Sequence, residues 1–475
     1  MKYYTKFQFI GLILGPAIAL VIVLSPIPNS LSISAWYTSA VAIFMAIYWI
    51  TEPIPLYATA LTPIVLFPLL NISSVKETST QFGHPLIFLF LGGFLIAEAI
   101  QKWGLHKRIA LNIIRVIGLK PKNIIAGFMI SGAFLSMWIS NTATTLMMLP
   151  IGISVITVYN SNVEEGKQKS SFGIALMLAI AYSCSIGGVG TLIGTPPNAL
   201  MAAFMNESYN IEIGFAQWML VGIPFVILAL PLAYFLLTNI LFSLKSADEL
   251  KSELINNELK QMGNLSPVEK RILFIFVLTA ILWIIRPIIS QYVEGISDTS
   301  IVIFTSLLLF IIPSGEKEPI LQWKDAKNIS WGILLLFGGG LALAMGIKKS
   351  GLAESIANFI LQIEGIPIVV LIIILTASII FLTEISSNTA TAAAFLPVIA
   401  SVAVGLGIDP LKLVIPATIA ASCAFMLPVA TPPNAIVFSS NQVTIKDMTK
   451  AGIWLNLSFV VLIVIVTNLL VDIVF

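Results

Sequence analysis

Ser140-Asn141-Thr142-Ala143-Thr144 lies in the middle of an apolar run, and the same five residues return as Ser387-Asn388-Thr389-Ala390-Thr391. A second word follows each copy: Thr195-Pro196-Pro197-Asn198-Ala199 after the first, Thr431-Pro432-Pro433-Asn434-Ala435 after the second. Hydroxyl and amide side chains within apolar runs cost free energy unless they are paired or bind something. A single word of this kind could be a packing device, because small polar residues and prolines are common in membrane helices. Four of them, paired in equivalent places, point to a binding site built twice.

The surroundings of these words set the class of protein. Of 475 residues, 58% are hydrophobic and only 10% are charged, where a soluble domain carries about 25% charged residues. The apolar stretches are continuous and do not alternate, which favours transmembrane helices over a β-barrel. A net charge of +2 gives no reason to expect a nucleic-acid partner. The two cysteines, Cys184 and Cys423, sit in apolar segments and read as small core residues. With two histidines, His84 and His106, and no Cys/His/Glu cluster, no transition-metal site is expected. No nucleophile–base constellation is present either, so an enzyme is not expected.

Taken in order, the apolar runs divide the chain. Residues 1–35 hold an N-terminal transmembrane helix, retained despite Lys2 and Lys6 before it, because no small-residue cleavage site follows. A first repeat over 36–243 begins with spans at about 37–51, 54–71 and 85–101, each measured against the 17–25 residues a span needs. A basic amphipathic segment at 102–122 reads as a surface helix. The run at 123–158 is too long for one span and carries Ser140-Asn141-Thr142 at its centre. It is expected to be a re-entrant hairpin, with non-helical backbone tolerated because it lines a cavity. The run at 172–206 contains Thr195-Pro196-Pro197 and is expected to be a broken helix, since proline lacks an N–H and clashes with the preceding turn. A span at 215–243 closes the repeat. Residues 244–271 form a polar, cytoplasmic connector. A second repeat over 272–475 has the same plan, with a hairpin at 366–402 and a broken helix at 411–438. The fold expected is therefore all-α and polytopic, with about 11 transmembrane helices plus two re-entrant hairpins.

The repeat is internally consistent. Leu89-Phe90 and Leu336-Phe337, Gly104-Leu105 and Gly351-Leu352, and Ser140 and Ser387 are all 247 positions apart. The Thr-Pro-Pro words are 236 apart, so the second copy is shorter between its words, and the polar Glu164–Lys169 region is where it is expected to be shorter. With the N-terminus in the cytoplasm, all but five of the 25 Lys and Arg fall inside, the exceptions being Lys76, Arg286, Lys348, Lys349 and Lys412. The C-terminus is then outside. An odd number of spans per repeat makes the two copies inverted, and inverted repeats with broken helices are the architecture of secondary transporters.

The chemistry follows from the exposed backbone. Carbonyls that end one half-helix can ligate a hard cation such as Na⁺, and N–H groups that begin the next can bind an anion. Ser and Asn oxygens add neutral ligands. Neither word contains Lys or Arg, so a dianion brought to mid-membrane needs co-bound cations and helix N-termini for compensation. Other polar residues read differently. Glu384, three residues before Ser387, reads either as a carboxylate capped by neighbouring hydroxyls or as a proton or cation site. Glu98 is expected to snorkel and Glu52 to be interfacial. Gly92-Gly93 and Gly338-Gly339-Gly340 lack a phosphate-binding context and read as close helix packing.

The paired words, with Gly194 and Ala430 just before the threonines, resemble the divalent anion/Na⁺ symporter family, the INDY-type di- and tricarboxylate transporters, over residues 35 to the end. The resemblance implies a homodimer with elevator-type alternating access. It implies one Na⁺ site at Ser136, Ser140, Asn141 and the Gly194 carbonyl, and a second at Thr383, Ser387, Asn388 and the Ala430 carbonyl. Ser136 and Thr383 each precede their motif serine by four residues, so one helical turn stacks the hydroxyls. Substrate carboxylates would meet Asn141, Thr142, Asn388 and Thr389, with Thr195, Pro196, Thr431 and Pro432 lining the pocket. The function expected is Na⁺-coupled symport of C4-dicarboxylates in a bacterial inner membrane, with Na⁺ as coupling ion and no organic cofactor. A dicarboxylate exchanger, a carrier of citrate or sulfate, or an anion channel are the alternatives.

Overall fold

The structure, a computed structural model, describes residues 4–118, 120–161, 167–242, 244, 253–315, 317–360 and 367–475. Among these residues every named element is a helix, and one isolated β-bridge pairs Pro313 with Pro319. Ten of the described helices are long and apolar enough to cross a membrane.

The chain begins with α1 (Lys6–Leu24) and α2 (Ile33–Thr51). They run antiparallel, as the ladder of contacts shows: Gln8 Nε2 donates to Glu52 O, Tyr48 Oη to Leu12 O and Trp36 Nε1 to Ile22 O. Short helices α3 (Leu56–Thr59), α4 (Thr62–Leu69) and α5 (Val75–Thr80) follow. Then come α6 (Pro85–Lys102), α7 (Leu105–Ile117), α8 (Pro121–Ser136), α9 (Asn141–Ser161), α10 (Lys167–Gly188), α11 (Pro196–Tyr209) and α12 (Phe215–Phe235). Helix α13 (Glu253–Met262) leads into α14 (Pro267–Ile289) and α15 (Asp298–Ile311). The last seven are α16 (Trp331–Lys349), α17 (Leu352–Ile360), α18 (Ile368–Thr383), α19 (Asn388–Gly405), α20 (Leu411–Ala421), α21 (Pro432–Phe438) and α22 (Ile445–Val474).

The order α6 to α12 thus returns as α16 to α22. Each series has a long apolar helix, a short amphipathic one, two limbs meeting at Ser-Asn-Thr, two pieces either side of Thr-Pro-Pro, and a closing helix. The polar turn expected after the first hairpin falls partly in residues 162–166, outside the described residues. So do Lys245, Asp248, Glu249 and Lys251 of the connector.

One expected span differs. The 54–71 run is two short helices, broken at Ala60–Leu61, where Pro63 in the first turn of α4 lacks the N–H that would continue α3. Gly339 of α16 lies directly against the Ala60 backbone and leaves no room for a Cβ. Its neighbours Gly338 and Gly340 lie against the Phe82 ring and against Leu200 and Ala393. The glycine run therefore lets α16 be approached closely from three sides.

The core centres on α10, whose described residues from Phe172 onward are almost wholly buried, packed against α8, α12 and α21. Helix α20 fills the matching place among α18, α19 and α22. The amphipathic α7 buries Leu105, Ala110, Leu111 and Ile114 on one face, the three-to-four spacing of a helix lying on a surface. Its basic face holds the connector. Lys107 pairs with Glu258 at 2.7 Å, and Arg108 pairs with Glu269 at 2.7 Å while donating to the Met262 and Gly263 carbonyls. Nearby, Lys102 and Asp325 lie 2.7 Å apart. Burial alone would raise the Asp325 carboxyl, but the Gln322 N–H and Lys102 outweigh it and hold it below its usual value.

Candidate functional site

Each Ser-Asn-Thr word sits where one helix stops and another starts. Helix α8 ends at Ser136 and α9 begins at Asn141; α18 ends at Thr383 and α19 begins at Asn388. Each Thr-Pro-Pro word begins a helix with proline in its first turn, where the missing N–H costs nothing. The segments before these words, 189–195 and 422–431, are non-helical. The two centres are tied crosswise: α11 packs on α19 and α9 on α21. Thr195 Oγ1 lies 3.4 Å from Ser422 Oγ, and Tyr182 Oη donates to Phe425 O at 2.7 Å.

In the first centre the amide end of Asn141 meets three oxygens. Ser136 Oγ is in hydrogen-bond contact with it, and the Gly194 and Cys184 carbonyls lie 3.2 and 3.1 Å away. With Nδ2 turned inward, the amide donates to these carbonyls. With Oδ1 inward, four oxygens face one another without a donor between the carbonyls and the amide, the surroundings that suit a hard cation. A Cβ on Gly188 would fall 2.7 Å from Asn141 Oδ1 and 2.9 Å from Gly194 O, so only glycine leaves this space open. The unwound segment is fastened by side chains. Asn198 Nδ2 donates to Gly188 O (3.3 Å), Val189 O (3.2 Å) and Thr191 O (2.8 Å). Trp218 Nε1 donates to Val189 O at 2.9 Å. Thr191 Oγ1 donates to Met137 O at 2.5 Å and accepts the Gly194 N–H at 3.1 Å.

In the second centre Thr383 Oγ1 lies 2.7 Å from Asn388 Oδ1 and 3.1 Å from Ala421 O. Glu384 is buried. Its carboxylate accepts the N–H groups of Phe425 (2.6 Å), Met426 (2.9 and 3.0 Å) and Leu427 (3.1 Å), and Asn456 Nδ2 at 2.7 Å. Asn434 Nδ2 donates to Ala424 O and Leu427 O, repeating the role of Asn198.

The structure brings Ser136, Asn141 and Gly194 together, and likewise Thr383 and Asn388. Ser140 instead uses its Oγ to accept the Ala143 N–H at 3.3 Å. Among the described residues no hydrogen bond ties Ser387 or Ala430 to Thr383 or Asn388. Thr142 and Thr389 stand in the first turns of α9 and α19, half-buried and buried. Thr195 and Thr431 are buried, Pro196 is half-buried and Pro432 is exposed.

The expectation for Glu384 is corrected: backbone N–H groups and Asn456 cap it, not neighbouring hydroxyls, because the 425–427 segment offers donors freed from helix. Glu98, in the last turns of α6, accepts Asn328 Nδ2 at 2.7 Å in an exposed setting. Glu52 ends α2 in a left-handed conformation with φ 46°. Both cysteines are free and buried. Reasoning from sequence missed the Cys184 and Ala421 carbonyls, which no side chain marks. It also gave no role to Asn198 and Asn434, although both stand in the repeated word.

A family model described as the sodium:sulfate symporter transmembrane region matches residues 6–475. The chain is 42% identical over 485 residues to the sodium-dependent dicarboxylate transporter SdcS of Staphylococcus saprophyticus subsp. saprophyticus, covering 99% of this chain and 92% of that one. It is equally similar, at 42% over 479 residues, to the SdcS of Staphylococcus aureus strain USA300, covering 98% and 91%. Among solved structures, the YdaH transporter of Alcanivorax borkumensis aligns with a TM-score of 0.58 at 13% identity, over 82% of this chain and 86% of that one, a likeness of fold alone.

Proposed function

The chain belongs to the sodium:sulfate symporter family, and from that premise we propose that it carries C4-dicarboxylates such as succinate, malate and fumarate together with Na⁺. The two SdcS relatives support the substrate class and the coupling ion. The observation that carries the reading is the set of oxygens around the Asn141 amide, where the Gly194 and Cys184 carbonyls converge at about 3 Å. Carbonyls do not gather at that distance in an apolar interior without a donor or a cation among them.

On this reading, Ser136, Ser140, Asn141 and Gly194 hold one Na⁺, with the Cys184 carbonyl as a further ligand. Thr383, Ser387, Asn388 and Ala430 hold the second, with Ala421. The starts of α9 and α19 present Asn141, Thr142, Asn388 and Thr389 to the substrate carboxylates, and Thr195, Pro196, Thr431 and Pro432 line the space. The bound cations supply the positive charge that these words lack. Movement is of the elevator type, within a homodimer, and the seven-helix series are inverted copies. The protein sits in the inner membrane with its N-terminus in the cytoplasm and its C-terminus outside.

The test is uptake of labelled succinate into proteoliposomes under an inward Na⁺ gradient, against choline in place of Na⁺. Uptake that requires the Na⁺ gradient, into vesicles empty of dicarboxylate, is expected. Uptake that ignores Na⁺ and requires internal dicarboxylate makes the protein an exchanger. Competition by citrate or sulfate as strong as by malate moves the substrate class.

A further inference from the structure

A cavity of about 330 Å³ lies well away from the repeated words, among the C-terminal end of α11, the end of α16, α17 and α19. That volume is at the lower end of ordinary ligand sites, about 300–1,000 Å³. Phe204, Ala344, Ile347, Pro397 and Val404 make its wall apolar, while Lys348, Glu354 and Asn358 bring polar groups to it. Its place in the membrane follows from the helices. Lys348 stands at the last turn of the 19-residue apolar α16, where a spanning helix reaches the headgroups. Helix α17 follows at once, with Leu352 and Ala357 buried and Glu354 and Asn358 exposed, the pattern of a helix lying in the interface. The polar groups are therefore at headgroup level.

Two further observations point to an occupant. Among the described residues neither Lys348 nor Glu354 is in an ion pair; Lys348 Nζ donates only to the Glu207 carbonyl, at 3.2 Å. Ser208, which lines the cavity and is 8% exposed, has an Oγ with no partner. One free cation, one free anion and an unpaired hydroxyl above an apolar chamber match one chemistry: phosphate, ammonium and ester groups above an acyl chain.

We propose that this cavity binds a bilayer phospholipid with a zwitterionic head, its phosphate toward Lys348, its ammonium toward Glu354, its ester region at Ser208 and its chain inside. Such a lipid would touch α11 and α19, which begin at the repeated words, and also α16 and α17. The proposal is independent of what the protein transports, and its test reads binding alone.

Purified protein in non-ionic detergent is titrated with dodecanoyl lysophosphatidylethanolamine and observed by native mass spectrometry, beside dodecanoate and dodecylamine. One saturable equivalent of the zwitterion is expected, bound at least about threefold more tightly than either singly charged amphiphile, the scale of one exposed ion pair. Ala353→Phe, which fills the cavity, should abolish it. Lys348→Gln and Glu354→Gln, at exposed positions that leave folding intact, should each weaken the zwitterion by about threefold and remove its advantage over the amphiphile lacking the matching charge. The proposal is overturned if no saturable binding occurs, if the two exposed variants bind like the wild type, or if dodecanoate binds as tightly as the zwitterion.

Discussion

The two halves of the centre carry the same words and hold them in opposite ways. In the first, the unwound segment reaches to the tip: Thr191 Oγ1 donates to the Met137 carbonyl. In the second, the tip reaches to the unwound segment, Glu384 accepting the N–H groups of Phe425, Met426 and Leu427. The residue 247 positions before Glu384 is Met137, and the residue 236 after Thr191 is Leu427. Each copy therefore has one stitch and lacks the other. The surroundings differ too. Both segments open on three-residue turns, Val189 N–H on Ile186 O in the first and Ser422 N–H on Ile419 O in the second, but only the first is buried throughout. Trp138 at its tip packs against Phe276 and Phe215. In the second centre Val429 is 80% exposed and Ile385, the counterpart of Trp138, is 55% exposed. The two copies share the place of the breaks and differ in the bonds that hold them.

The comparison can be broken most decisively at the amides the halves share. Asn141→Ala should lower Na⁺ affinity by at least about 10–100-fold, the range for loss of a group that shapes an ion site, measured as the Na⁺ dependence of succinate uptake. Asn388→Ala should do the same. If transport and Na⁺ dependence both survive Asn141→Ala, the assignment of the first tip is wrong. The stitches should differ in strength. Glu384→Gln replaces an acceptor by a donor facing the N–H groups of 425–427 and should cost about 1–3 kcal/mol of stability or more, read as earlier thermal unfolding in detergent. Thr191→Val removes the donor to the Met137 carbonyl and the acceptor of the Gly194 N–H. These are two neutral bonds against the four backbone contacts and one amide contact of Glu384, so the change should cost less, about 1–2 kcal/mol. Equal destabilisation by these two would remove the contrast between the halves.

Much of this was legible beforehand. The breaks were, because proline pairs and polar words in apolar runs have only a few physical outcomes, and their duplication at fixed offsets gave a second reading of each. Asn141 was legible for the same reason. The Cys184 and Ala421 carbonyls were not, since every residue carries one and only the turn of the backbone aims it. Glu384 was legible as an acid beside an apolar run, but its backbone donors lie 41 to 43 residues further along the chain and its side-chain donor Asn456 72 further. The break at Ala60 was legible in Pro63, but the run's length outweighed it; the contact of Ala60 with Gly339 is remote in sequence and was not legible.

The Asn141 amide can close its own ring of oxygens by turning its NH₂ group inward. A metal ion arriving there meets a resident rival of the same sign, worth an ordinary pair of hydrogen bonds, rather than a raw cluster of lone pairs. Emptying the ring then leaves no strained void behind. If the proposed Na⁺ binds there, the grip on it is the difference between two satisfied arrangements, which would keep it weak enough to let go on the far side of the membrane.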